Sequence, residues 1–152
     1  MYLVPKRYFV TDGVGISYVS PLNAFDQALR DARIAHLNLV PVSSILPPNA
    51  REVEYENLPP GAITFVVMSR IEGRGGERIA AGLAWAKGEK HGYVIEGHSR
   101  EDIDLKEKLL SMVREVERLS NTRFTDVKTR IRELKVPAGA YGSVVVALVL
   151  IL

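Results

Sequence analysis

Apolar and polar positions follow two periods along this chain, two residues and about three and a half, and the switches between them mark strands and helices. Tyr2 to Val10, rich in Tyr, Phe and Val but interrupted by Pro5, predicts an opening or edge strand, and Thr11-Asp12-Gly13-Val14-Gly15 predicts a turn. Ser20 before Pro21 reads as an N-cap followed by proline at the first helical position. Leu22, Phe25, Ala28, Leu29 and Ala32 then recur at helical spacing, so a first helix is expected to about Arg33. Leu37, Leu39, Val40 and Val42 predict a buried strand that Pro47-Pro48 terminates, and Asn49 to Pro60 reads as a loop carrying Glu52, Glu54 and Glu56. Ala62 to Ile71 and Arg78 to Lys87 are β-rich runs on either side of the Gly-rich break Glu72 to Glu77, the pattern of a hairpin. Gly92 to Glu96 is a short strand. Ser99 with Asp102 three residues on has the form of a capping box, opening a second helix whose apolar stripe is Leu105, Leu109, Met112, Val113, Val116 and Leu119. Val127, Thr129 and Ile131 alternate with charged residues in a half-exposed strand, and Tyr141 to Leu152 has the continuous apolar character of a strand covered on both faces.

Two amphipathic helices interspersed among strands place the chain in the mixed α/β (α+β) class. Two sheets packed face to face, with one helix on each outer surface, would bury every apolar stripe. At 152 residues the chain is one domain by length, residues 1–152, long enough to bury roughly 70% of its unfolded surface.

The candidate chemistry lies where the Leu37–Val42 strand must stop. Ser43 and Ser44 are adjacent there, in H-L-N-L-V-P-V-S-S-I-L-P-P from His36 to Pro48. A serine hydroxyl held against the carbonyl of the residue before it can attack that carbonyl and convert the amide to an ester, given a strained turn and donors for the oxyanion. Ester formation alone is reversible. Loss of the Ser44 α-proton then expels the Ser43 carboxylate, cuts the chain and leaves dehydroalanine, which hydrolyses to a pyruvoyl group. The same residues, taken alone, also make an ordinary polar turn.

Composition narrows the alternatives. The net charge is +2, with 20 basic residues spread among 18 acidic ones. Arg114, Arg118, Arg123, Lys128, Arg130 and Arg132 are interleaved with Glu115, Glu117, Asp126 and Glu133, which argues against a nucleic-acid partner. The absence of cysteine removes disulfides and thiol chemistry, and fits a reducing compartment. The N-terminus lacks the layout of a signal peptide, and the apolar run Val144 to Leu152 is about half of the ~20 residues a membrane span needs, so the expectation is cytoplasmic with no membrane. His36, His91 and His98 have no metal-triad spacing, and the Gly-rich break lacks a Gly-Lys-Ser/Thr ending for phosphate.

P-L-N-A-F-D at Pro21 to Asp26, followed by N-L-V-P-V-S-S-I-L-P-P at Asn38 to Pro48, resembles the pyruvoyl-dependent arginine decarboxylase family, best known from archaea, and the similarity runs from about Val4 to the last strand. The resemblance implies the four-layer α/β/β/α sandwich. It further implies cleavage into residues 1–43 (β chain) and 44–152 (α chain), with Ser44 as pyruvoyl precursor, no pyridoxal phosphate and no metal. It also implies conversion of arginine to agmatine, a step towards polyamines, by an (αβ)3 trimer with sites between subunits. By the same resemblance Glu96, in G-Y-V-I-E-G, is the proton donor. Among Tyr93, Val94 and Ile95 it is expected to be desolvated and so to keep its proton. Asn38 would donate to the oxyanion or orient the pyruvoyl carbonyl, or else bridge strands. Asp26 would bind the guanidinium, helped by carbonyls near Ala35 and Leu37, or else pair with Arg30 one helical turn on. Two other readings stay open: a pyruvoyl decarboxylase for another amino acid, and an uncleaved relative that binds a cationic ligand or a partner subunit.

Overall fold

A computed structural model describes residues 1–152 as one continuous chain. Nine strands and two helices follow in the order β1 (Arg7–Ser17), α1 (Pro21–Asp31), β2 (Asn38–Pro41), β3 (Ile45–Leu46), β4 (Arg51–Glu52), β5 (Ile63–Arg74), β6 (Arg78–Lys87), β7 (Gly92–Ser99), α2 (Leu105–Ser120), β8 (Thr125–Lys135) and β9 (Tyr141–Ile151). They form a five-stranded sheet, β2-β5-β9-β1-β4, and a four-stranded sheet, β3-β7-β6-β8.

The layers can be read from which residues of one strand go where. In β9, Val144, Val146, Leu148 and Leu150 pack between the two sheets, while Val145, Ala147, Val149 and Ile151 pack under α1 with Ala28, Ala32 and Ile34. In β6, Ile79, Ala81, Leu83 and Trp85 face between the sheets, while Ala80, Ala84 and Ala86 meet Leu105, Leu109 and Val113 of α2. Both strands are covered on both faces, which is why their sequences are apolar without alternation. The result is the four-layer α/β/β/α sandwich.

Several local expectations are corrected. Thr11 to Gly15 is not a turn: β1 runs through it, paired with β9 over eleven residues from Arg7↔Ile151 to Ser17↔Tyr141. Its glycines serve helix packing, since a Cβ at Gly13 or Gly15 would overlap the carbonyl of Ala28 or Ala24 in α1. The runs either side of the Gly-rich break do not form a hairpin, because β5 pairs with β2 and β9 and β6 with β7 and β8. The break is an arch from one sheet to the other, made with Gly76 at φ +88° and its amide donating to Val136 O at 2.8 Å. Both flanks of each run are taken by other strands, so neither has an edge left for the other. Ser99 does not cap α2; β7 continues through it, and Asp104 accepts from the Glu107 amide at 3.0 Å. Last, β2 is not buried but is the edge of its sheet, with Asn38, Val40 and Val42 exposed.

Candidate active site

The Ser43–Ser44 bond lies in the short linker from β2, in the larger sheet, to β3, in the smaller. Each end is tied to a different sheet. The Val42 amide donates to Val66 O of β5 at 2.9 Å, and the Val94 amide of β7 donates to Ser44 O at 2.8 Å. β2 stops at Pro41, and Pro47-Pro48 end β3 after only two residues, so the two serines lie between the strands, over the mouth of the sandwich. Below them Ser43 lines a cleft of about 260 Å³ with Val42, Ile45, Phe65 and Leu150.

Glu96 is placed by register. Ile45 pairs with Tyr93 in β7, so the same antiparallel register puts Ser44 opposite Val94, and Glu96 is two residues further along the strand face that Val94 occupies. Such diagonal neighbours lie about 7–8 Å apart, within reach of a substrate bridging the two. Tyr93 and Ile95 point the other way, to α2, and so do not bury the carboxylate. Glu96 is exposed in the single chain, which corrects the expectation of desolvation by its sequence neighbours.

The other candidates are not at this mouth. Asn38 is at the opposite end of β2 from the serines; with ~3.3 Å per residue the strand alone separates them by about 10 Å. Its amide nitrogen donates to Gly61 O at 2.8 Å, the bridging alternative. Asp26 is on α1, beyond the far face of the larger sheet, and accepts from Arg30 Nε at 2.7 Å. Ala35 lies on that same outer layer, beside a hollow shared with Arg30, Arg33 and His36, and Leu37 packs into the α1 layer of the core. One chain therefore unites Ser43, Ser44 and Glu96 but not Asp26, Ala35, Leu37 or Asn38.

His36 Nε2 bonds Leu58 O at 2.9 Å, His91 Nδ1 contacts Gly92 O at 3.1 Å, and His98 is exposed. No three His, Asp or Glu side chains converge as metal ligands would. The basic residues of α2 and β8 are largely paired: Arg114 with Glu107, Arg118 with Glu115, Lys128 with Glu52, and both Arg130 and Arg132 with Asp12. No helix is long and apolar enough to cross a membrane.

Sequence reasoning missed the anchors, because most are main-chain groups: Val66 O and Val94 N–H have no side-chain signature. One did have a signal. Ser69, a hydroxyl that follows the apolar run F-V-V-M, is buried and donates to Gly97 O at 2.6 Å, bridging the sheets one residue beyond Glu96. A second polar cluster was also missed. Tyr8, only 3% exposed, lies opposite Glu52, which accepts from Trp85 Nε1 at 3.0 Å and Lys128 Nζ at 3.3 Å. Burial, reinforced by the Glu52 charge, pushes the Tyr8 phenol up from 10.0 to about 12.

A two-sheet sandwich flanked by helices, with a Ser-Ser linker strung between its sheets beside a glutamate, is the frame of a pyruvoyl-dependent decarboxylase. Residues 7–152 match the model of one family of that class, and the chain belongs to it: the pyruvoyl-dependent arginine decarboxylase family. Among its relatives, the "Pyruvoyl-dependent arginine decarboxylase" of Methanopyrus kandleri is 37% identical over 134 residues, 83% of each chain. "Pyruvoyl-dependent arginine decarboxylase 1" of Methanosarcina acetivorans is 42% identical over 108 residues, 66% of this chain and 65% of that protein. The Methanocella arvoryzae "Pyruvoyl-dependent arginine decarboxylase" is 46% identical over 106 residues, 64% of this chain and 63% of that protein. The matched region thus spans a little under two thirds of the last two relatives.

Proposed function

We propose that this chain is a self-processing decarboxylase that converts L-arginine to agmatine and CO2, an early step towards polyamines, in the cytoplasm. The observation that carries this reading is the pair of opposed anchors, Val42 to Val66 and Ser44 to Val94, on either side of the serine bond.

Ser44 Oγ attacks the Ser43 carbonyl, the 43–44 C–N bond breaks, and Ser44 gains a free amine esterified at its hydroxyl. Removal of the Ser44 α-proton then breaks the Cβ–O bond, Ser43 departs as a carboxylate, and hydrolysis of the resulting enamine releases ammonia. The residues suit this outcome, because Ser44 is held through its carbonyl rather than its amide, so the anchor to Val94 survives when the amide is lost. The fragments 1–43 and 44–152 stay together, since β1 and α1 of the first are embedded against β9 of the second.

The pyruvoyl group so formed supplies an electron sink for the substrate's α-amine and carboxylate. This chain's residues do the rest. Glu96, beside residue 44, returns a proton to the substrate α-carbon. Asp26 takes the guanidinium by displacing Arg30, an exchange of one guanidinium for another on an exposed carboxylate and so nearly neutral. Carbonyls near Ala35 and Leu37 accept the remaining N–H groups. Asp26 and Asn38 lie away from their own Ser44, so a complete site takes them from a second copy. The apolar edge formed by Val40, Val42 and Ile63, 71% exposed, is the surface such a copy would cover. An (αβ)3 assembly is the form we expect, by family likeness.

The test is an intact-mass spectrum of the denatured protein, followed by turnover of arginine against ornithine, lysine, histidine and aspartate. Two fragments, the larger blocked to N-terminal sequencing, with preference for arginine, are expected. Ser44→Ala should run as a single 16.8 kDa species without activity. A parent chain that stays whole, or a preference for another amino acid, overturns the respective half of the reading.

A further inference from the structure

The ties around the serines form a closed frame. From Val66 it passes by hydrogen bond to Val42, along the chain to Ser44, by hydrogen bond to Val94, along β7 to Gly97, and back by the Ser69 hydroxyl to β5. Ser44 and Glu96 are both on this frame. Its two crossings from sheet to sheet are the covalent linker at 43–44 and the Ser69–Gly97 hydrogen bond. Once the linker is cut, Val42 stays with one sheet and residue 44 with the other, and the first crossing is gone.

We infer that Ser69 is the positioning residue that holds the Glu96 end of β7 in place against β5 after the chain has opened. Several features suit it to that task. It is buried at 3% exposure, its bond of 2.6 Å spans the two sheets, and its acceptor is the carbonyl immediately after Glu96. On the other side, Gly97 is closed in by Leu109 of α2: a Cβ there would stand 3.0 Å from Leu109 Cδ2, so this backbone is gripped from both faces. Neighbouring β3 supports β7 only at Gly92 and Tyr93, leaving the strand from Ile95 onward with β6 as its sole ladder partner. In the uncleaved chain the linker shares the load, so the role of Ser69 becomes decisive only with processing.

This inference rests on the self-cleavage proposed above, and the test separates the two. Hydrogen exchange of the β7 amides is measured in the full chain for four forms: parent, Ser69→Ala, Ser44→Ala, and Ser69→Ala with Ser44→Ala. We expect Ser69→Ala to cleave as the parent does, to exchange several-fold faster over residues 95–98 than the cleaved parent, and to lose several-fold in kcat with KM for arginine unchanged. In the uncleavable Ser44→Ala background the same substitution should change exchange little. Equal acceleration in both backgrounds would make Ser69 a general packing residue and overturn the inference. So would cleaved Ser69→Ala chains whose exchange and kcat match the parent. A parent chain that never cleaves fails the processing reading itself, and the mass spectrum of the parent alone reveals it.

Discussion

The two long edges of the sandwich are closed by different means. At the edge formed by β4 and β8, charge binds sheet to sheet: Asp12 of β1, its side chain 10% exposed, receives Arg130 at 2.6 Å and Arg132 at 2.5 Å from β8, and Glu52 gathers Trp85, Lys128 and Tyr8. At the edge formed by β2 and β3 there is no such clamp. A linker of two serines spans the gap, a cleft opens beneath it, and Val40, Val42, Ile45 and Ile63 face outward. The same pair of sheets is thus clamped by charge at one edge and left open at the other.

Four substitutions would break or sharpen that contrast. Ile63→Asp, at the open edge, should leave the single chain folded but abolish self-association, and with it turnover, read by sedimentation and agmatine formation together. A fully active variant would remove this edge from the assembly. Glu96→Gln should cleave normally yet slow decarboxylation by roughly 10²–10⁴, the usual worth of a general acid. Unchanged turnover would take Glu96 out of the mechanism.

At the closed edge, Asp12→Ala should cost about 1 kcal/mol in denaturant unfolding, because two half-exposed guanidinium groups lose their shared carboxylate. Its self-cleavage should match the parent; loss of cleavage would show that the two edges are coupled. The smallest effect is expected from Tyr8→Phe. Between about pH 10 and 12 the unfolded chain has released the Tyr8 proton while the native one retains it, so the native state binds more protons and stability declines as pH rises through that window. The phenylalanine variant should lack that component of the decline. An identical pH profile would mean that another group is responsible.

Much of this was legible in the linear order of residues. The paired periods predicted two helices, the unbroken apolar run of β9 predicted a strand covered on both faces, and the family resemblance implied the four layers that accommodate both. The serine pair was legible because Pro47-Pro48 after it force an interruption, and the motifs around it carried the family. Strand partnership was not. Nothing local in Ala62 to Lys87 distinguishes a hairpin from an arch, since both need the same glycine turn. The choice depends on whether β9 claims the flank of β5 first.

Composition and periodicity also determined burial where it is a property of a strand's own pattern, as in β9. Only the tertiary structure decided burial that depends on neighbours. Glu96, among apolar residues in sequence, is exposed because β-strand neighbours point to opposite faces and β3, the strand beside β7, pairs only as far as Tyr93. Asn38 is separated from Ser44 for a related reason: six residues of extended chain span a distance that no side chain crosses. Side-chain identity determines what chemistry is possible, but proximity between residues far apart in the chain is set by how strands share partners, and that information is held by the whole fold.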